Sequence, residues 1–444
     1  MNRITPTSTD TIACTRRAFL QKGLVLVSTA ATVPSFLNEA AFGLWNPFDQ
    51  PLTTSQPGKP DNHILVVVQL SGGNDGLNTV VPYGMDQYYR SRPGIAIRPN
   101  DTLKLGNDTA DLGFHPNLAG LKELHDSGLL ATIQGVGYPN PNRSHFTSMD
   151  IWHTGDPTNP NTTGWIGRYF DNTCNGSPDP DAGISIGRES PHALSGDLHK
   201  PVEFESPDLF KWIGEDVQPA LAEPYTKICE HAAQRNSAGR PTKKQAETGY
   251  ASQRNFLTRT SMNAQVSSDR IRAAVRLQPL VEYPASPLAN QLRTVAAMIQ
   301  ADLPTRVYYV TLGGFDTHAG QPGSHANLMR QLGSSLLAFS KDLKAQGNDG
   351  RVLTMTFSEF GRRVGENASR GTDHGTAAPM WLMGPMVRPG VLGNHPSLTD
   401  LDQGDLKYTV DFRSIYATIL QSWFKADTHQ VLGRSFQPAQ VLRT

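Results

Sequence analysis

The sequence predicts an α/β fold built around a largely parallel sheet, and two observations carry that prediction. Apolar runs recur at 64–70, 129–136, 306–312, 352–357 and 380–383, as in strands buried on both faces of a parallel sheet. Helical patterns lie between them. In the clearest, Leu328, Leu332, Leu336, Phe339 and Leu343 recur at spacings of three and four, with Ser324 as a candidate cap and Gly347 as a stop. Alternation of strand and helix is the pattern of such folds. The 444 residues allow one large domain or two to three smaller ones, with ample core-forming side chains. Lys and Arg number 40 against 40 Asp and Glu, which argues against the polybasic footprint of a nucleic-acid binder. With 40 Gly and 32 Pro, the chain reads as loop-rich, and its sites are expected on loops.

In chain order, Arg16-Arg17 precede a short apolar stretch from Gly23 to Val33, which reads as a twin-arginine export signal over residues 1–43. The stretch is too short to span a bilayer. Ala41-Phe42-Gly43 offers small residues for cleavage, with Ala40 as a rival end. Signal removal takes four basic and two acidic residues, leaving 36 against 38. A periplasmic or secreted protein follows, exported already folded by the twin-arginine machinery, with no membrane span once the signal is gone. Residues 44–62, rich in Pro, Thr and Ser, read as a linker to one α/β domain over 63–444. Residues 171–250 depart from the alternation as a Pro-rich polar excursion, and 251–303 return to helical patterning. Cys174 and Cys229 could pair in an oxidising compartment but are too few for a thiolate cage.

Ligands of open parallel sheets bind outside the carboxyl ends of the strands, so the polar residues after each apolar run locate a candidate site. Ser71-Gly72-Gly73-Asn74-Asp75-Gly76 follows the first run, and Asn142-Arg143-Ser144-His145 follows the second across a Gly/Pro loop. Gly314-Phe315-Asp316-Thr317-His318 follows the third. Ser358-Glu359-Phe360-Gly361-Arg362-Arg363 follows the fourth and leads to Gly371-Thr372-Asp373-His374-Gly375. Four loops carrying carboxylates, imidazoles and a serine make a site hypothesis. Asp oxygens with His nitrogens suit zinc, manganese or magnesium without any thiolate. The expected ligands, around one ion or two, are Asp75, Asp316, His318, Asp373, His374 and Glu359, and most of the side chains of Asp75, Ser144, Asp316, His318, Asp373 and His374 are expected within about 10 Å of one another.

Ser144 is either a nucleophile at a helix start or a plain helix cap. Arg143 and Arg362 are expected as oxyanion clamps, Arg143 having a carboxylate partner as its alternative. Asp75 has a turn-stabilising alternative, and Glu359 has Arg362 as an alternative partner. His325 reads as a first-turn helix residue, and His115, His145, His153 and His395, taken singly, as structural. No phosphate-cradling Gly-rich motif follows the first strand, so no nucleotide cofactor is expected. The Gly-x-Ser-x-Gly of Gly183–Gly187 lacks the flanking strand and helix of a nucleophile elbow and reads better as a short strand of its own.

Jointly the loops around Asp75, Arg143-Ser144-His145-Phe146, Gly314–His318, Ser358–Arg362 and Gly371–Gly375, with Asp411-Phe412-Arg413, resemble the bacterial domain of unknown function 1501 over most of residues 61–425. The resemblance implies the alkaline phosphatase and sulfatase superfamily and with it a three-layer αβα sandwich. It also implies metal ions with a Ser, Thr or formylglycine nucleophile acting on phosphate or sulfate esters. On that resemblance Asp75 is the Asp after the first strand, Ser144 the nucleophile, and Asp316, His318, Asp373 and His374 the later ligands. No Cys-x-Pro-x-Arg occurs, which argues against a formylglycine sulfatase. Asp316 and His318 stand closer than the superfamily's usual spacing, and no final distant His is evident. The function expected is an exported metal-dependent hydrolase of phosphate or sulfate esters. The alternative is an exported binding or assembly protein that keeps the fold without catalysis.

Overall fold

A computed structural model describes residues 63–443 apart from 107–110, 159–162, 174–179, 189 and most of 208–266. The segments expected as export signal and linker, most of the Pro-rich excursion and both Cys174 and Cys229 lie outside the described residues.

Strand β1 (Ile64–Ser71) shows why the fold forms. Ile64, Val66, Val68 and Leu70 enter one apolar core, while Leu65 and Val67 enter another. Alternation of side chains across a strand therefore makes a run apolar on both faces divide between two cores. The partners of β1 in the central sheet are β2 (Leu130–Gly137), β3 (Gly183–Ile186), β4 (Val202–Phe204), β5 (Val307–Gly313), β6 (Val352–Phe357), β7 (Ala378–Met383), β8 (Gly390–Leu392) and β9 (Val410–Asp411). Their order is β8-β2-β7-β6-β1-β5-β3-β4, with β9 also beside β2. Only β7 runs antiparallel to its neighbours, so the sheet is largely parallel, as expected. The Gly183–Gly187 motif sits in β3 with Ser185 buried between β4 and β5, which removes it as a nucleophile elbow.

Helices cover both faces. Against the first core pack α1 (Ala119–Asp126), α4 (Pro287–Gln300) and α5 (Gln321–Gln346). Against the second pack α2 (His145–Thr154), α3 (Trp165–Thr173), α6 (Phe412–Thr418) and α7 (Thr428–Leu432). The result is a three-layer αβα sandwich. Among the described residues no helix is long and apolar enough to cross a membrane.

Helix α5 carries the predicted stripe: Leu332, Leu336 and Phe339 are buried. It stops at Gly347, whose left-handed conformation (φ 72°) closes the last turn onto Leu343. Its start differs from the sequence expectation. Gly320, not Ser324, precedes the first turn, because Pro322 is already set for helix. His325 consequently lies one turn inside and is buried against Thr79 and Asn74.

Candidate functional site

Strands β1, β2, β5 and β6 all point the same way, so the loops that follow them meet on one edge of the sheet. Their approach is close. A side chain at Gly72 (φ +118°) would strike the backbone of Phe315 and Asp316, so only glycine lets the first loop cross the third. The Arg362 guanidinium, buried among them, ties these loops together. It donates to the carbonyls of Gly73 (2.7 Å), Thr372 (2.9 Å), Phe315 (3.0 Å) and Gly72, and to Asp316 Oδ1 (2.7 Å).

Three imidazoles face that same Asp316 Oδ1. The Nε2 atoms of His318, His374 and His145 stand 3.0, 3.1 and 3.5 Å from it, and His318 and His374 Nε2 are 2.9 Å apart. Behind each ring, Nδ1 meets an acceptor oxygen: Glu359 Oε1 for His145 (2.8 Å), Asp373 Oδ1 for His318 (3.2 Å), and the Arg143 carbonyl for His374 (2.8 Å). A proton on each Nδ1 satisfies these acceptors and leaves the Nε2 lone pairs turned inward.

Lone pairs of one carboxylate oxygen and three imidazoles then converge, an arrangement that only protons or a cation can hold together. His145 Nε2 is buried and makes no hydrogen bond. Zinc–nitrogen and zinc–oxygen distances of about 2.0–2.1 Å give a tetrahedron with edges of about 3.3 Å, and the measured separations bracket that value. The residues therefore fit a divalent metal. His145, Asp316 and His374 could hold it, with His318 against two of them. Oxygens behind the rings are what orients imidazole ligands in metal sites.

The carboxylate's charge is consistent with this. Partial burial pushes the Asp316 carboxyl up, but the hydrogen bond and charge of Arg362 outweigh it and hold the pKa down to about 2. The hydrogen bond to Glu359 raises His145. Asp373 is lowered, first by the amide of Asn367.

The sequence-predicted residues divide accordingly. Asp316, His318 and His374 meet as one group. Glu359 and Asp373, expected as ligands, instead stand behind His145 and His318, because imidazole rings occupy the places nearest the centre. Asp75, also expected as a ligand, is outside the cluster. It is fully buried in an ion pair with Arg92 Nη1 (2.6 Å) and accepts a further bond from Gln321. Arg362, expected as a substrate clamp, has a side chain fully buried and committed to the loops. The Arg143 guanidinium is turned to Asp405, and only its carbonyl reaches the cluster. Ser144 occupies the cap position of α2, but its side chain makes no capping bond and is exposed. His145 is the residue that sequence reasoning set aside. Its place next to Ser144, as the first residue of α2 and in a motif already singled out, was the available signal.

Comparison of the sequence with curated proteins gives no match. Among solved structures, the chain is similar to the PsFucS1 sulfatase from Pseudoalteromonas sp., with 11% identity, 93% of this chain and 78% of that one covered, and a TM-score of 0.36. It is similar to Ps i-CgsB at 11% identity, covering 83% and 74%, with a TM-score of 0.36. It is also similar to the lipoteichoic acid synthase LtaP from Listeria monocytogenes at 8% identity, covering 81% and 74%, with a TM-score of 0.31. One family profile spans nearly all of the described chain, residues 62–438, and on it the protein belongs to the proteins of unknown function DUF1501.

Proposed function

We propose that this protein is an exported metal-dependent hydrolase of phosphate or sulfate esters. One observation carries the reading: three imidazoles, each held from behind at Nδ1, turn Nε2 toward one carboxylate oxygen. His145, Asp316 and His374, with His318, would hold one divalent ion, zinc by the chemistry of the donors, with manganese or magnesium as alternatives. Such an ion supplies Lewis-acid stabilisation of charge on the ester's phosphoryl or sulfuryl oxygens.

The chain's own groups supply the rest. Ser144, adjacent to His145, presents an uncapped hydroxyl at the N-terminus of a ten-residue helix, where backbone N–H groups favour an anion. Its Oγ gives its proton to solvent and bonds to phosphorus or sulfur as the ester oxygen leaves and takes up a proton from solvent. A water then attacks the same phosphorus or sulfur, breaking its bond to Oγ, and one of the water's protons is returned to the serine through solvent. Arg362 keeps the first, third and fourth loops in register for this. Export by the twin-arginine route suits a protein that must fold around its metal first, and its location would be periplasmic or secreted.

Elemental analysis and turnover of 4-nitrophenyl phosphate and 4-nitrophenyl sulfate test the proposal. About one metal ion per chain is expected, with turnover abolished by chelation and reduced at least about a hundredfold in Ser144→Ala. Undiminished turnover in that variant removes Ser144 from the mechanism. Bound metal with no turnover of either ester supports the alternative, a binding or assembly protein. The observation favouring that alternative is the Arg362 guanidinium 2.7 Å from the proposed ligand Asp316 Oδ1, which competes for its charge.

A further inference from the structure

Beside the imidazole cluster lies a second concentration of charge that the proposed chemistry leaves unused. The guanidiniums of Arg143 and Arg363 converge on one carboxylate, Asp405. Arg143 donates from Nε (2.7 Å) and from Nη2 to Asp405 Oδ2, while Arg363 Nε stands 3.6 Å from Oδ1. The Asp405 side chain is fully buried, whereas those of Arg143 and Arg363 are 36% and 42% exposed. Asp405 is the carboxylate within ion-pair distance of both guanidiniums, Asp402 acting on Asp405 and Asp373 on Arg363 from further off, and guanidinium donors remain free on the water side of the pair.

The backbone fixes where that charge sits. The Arg143 carbonyl accepts from His374 Nδ1, and the Arg363 N–H donates to the Asp373 carbonyl (3.0 Å). Both arginines are therefore tied to the Asp373-His374 segment of the cluster. Arg362 next door, by contrast, is wholly spent on carbonyls and on Asp316. Neutralising Asp405 requires only one of the two guanidiniums, and Arg143 alone already makes two hydrogen bonds to it. A half-exposed guanidinium with donors to spare is suited to planar, bidentate capture of an oxyanion.

We propose that Arg143 and Arg363 form a subsite for a second anionic group on the substrate, a sulfate, phosphate or carboxylate other than the one hydrolysed. The substrate class is then a multiply anionic ester. This deepens the proposed function and rests on it for turnover, but not for binding.

The test uses the zinc-loaded protein in a Ser144→Ala background, which prevents turnover. Glucose 1,6-bisphosphate and glucose 6-phosphate are titrated calorimetrically at fixed ionic strength. The bisphosphate is expected to bind at least about tenfold more tightly, a preference that Arg363→Gln abolishes and Arg363→Lys partly keeps. Equal affinity for the two ligands, or a preference unchanged in Arg363→Gln, overturns the proposal. A preference that depends on Arg363, in a protein that hydrolyses no ester, keeps the subsite and sinks the hydrolase reading. Ester turnover without the preference does the reverse.

Discussion

Replacing Asp75 with Asn separates two roles that the sequence left open. The change keeps shape and removes charge. Asp75 and Arg92 side chains are both fully buried, 2.6 Å apart at their closest atoms. The guanidinium also donates to Asn78 Oδ1 (2.9 Å) and to the carbonyls of Val364 and Arg363 (2.8 Å each), so Asp75→Asn would leave it with neutral partners only. At an effective dielectric of about 20, unit charges about 4 Å apart interact by about 4 kcal/mol. Removing one partner of a buried pair costs about 3–5 kcal/mol in practice. Burial opposes ionisation of Asp75, yet Arg92 outweighs it and the pKa stays below the usual carboxylate range. Urea unfolding of Asp75→Asn is therefore expected to lose about 4 kcal/mol at an unchanged denaturant slope. Arg92→Met in the same chain should recover part of it, since the uncompensated charge is then gone. Metal content by elemental analysis should stay at the parent value. Lost metal with intact stability would refute the reasoning and restore Asp75 as a ligand.

Further outcomes follow from the same geometry. Glu359→Gln keeps the shape behind His145 but not the charge, and zinc affinity measured by competition with a chelating dye should fall about 10- to 100-fold; an unchanged affinity would contradict the orienting role. Burial pushes the pKa of His115 and His153 down to about 3 and that of His325 to about 4. These rings stay neutral in the folded protein while the unfolded chain protonates near 6.5, so stability present above that value is lost as pH falls below it. Between pH 7.5 and 5.5, His153→Gln and His325→Gln should each lose about 1.4 kcal/mol less than the parent in urea unfolding. Equal losses would count against buried neutral rings. Leu332→Ala, in the fully buried stripe of α5, should cost about 2–5 kcal/mol by the same assay without changing metal content.

The fold was largely legible because its signals are local and redundant. A run such as Ile64-Leu65-Val66-Val67-Val68 can only be buried on both sides, and the order of runs and helical stripes leaves few architectures. The start of α5 was misplaced by four residues because a serine resembles a cap, whereas the structure uses the preset backbone of Pro322. Which loops meet was also legible, since strand direction decides it. What each side chain does there was not. Glu359 reads as a ligand or as a partner of Arg362, and its bond to His145 spans 214 positions of sequence. His145 was discounted because a lone histidine carries no information about the residues brought to it by other strands.

Two Asp–Arg pairs show where the limit lies. Asp75 and Asp316 both follow a buried parallel strand and a Gly-Gly turn, and both receive a guanidinium at short range, 2.6 Å from Arg92 and 2.7 Å from Arg362. The Asp75 pair is sealed: its carboxylate is fully buried and, among the described residues, has Arg92 and Gln321 as its side-chain hydrogen-bond partners. The Asp316 side chain remains 47% exposed. A carboxylate oxygen has two lone pairs. Arg362 takes one at Oδ1, and the rest of that oxygen faces the three rings. The guanidinium thus fixes the carboxylate's direction and offsets its charge while leaving it able to bind a cation. Openness to water and the company of imidazoles, rather than the acid or its arginine, distinguish the pair of the proposed metal site from the sealed one. Two of the three imidazoles, His145 and His374, come from more than 50 positions away, beyond the reach of any local pattern.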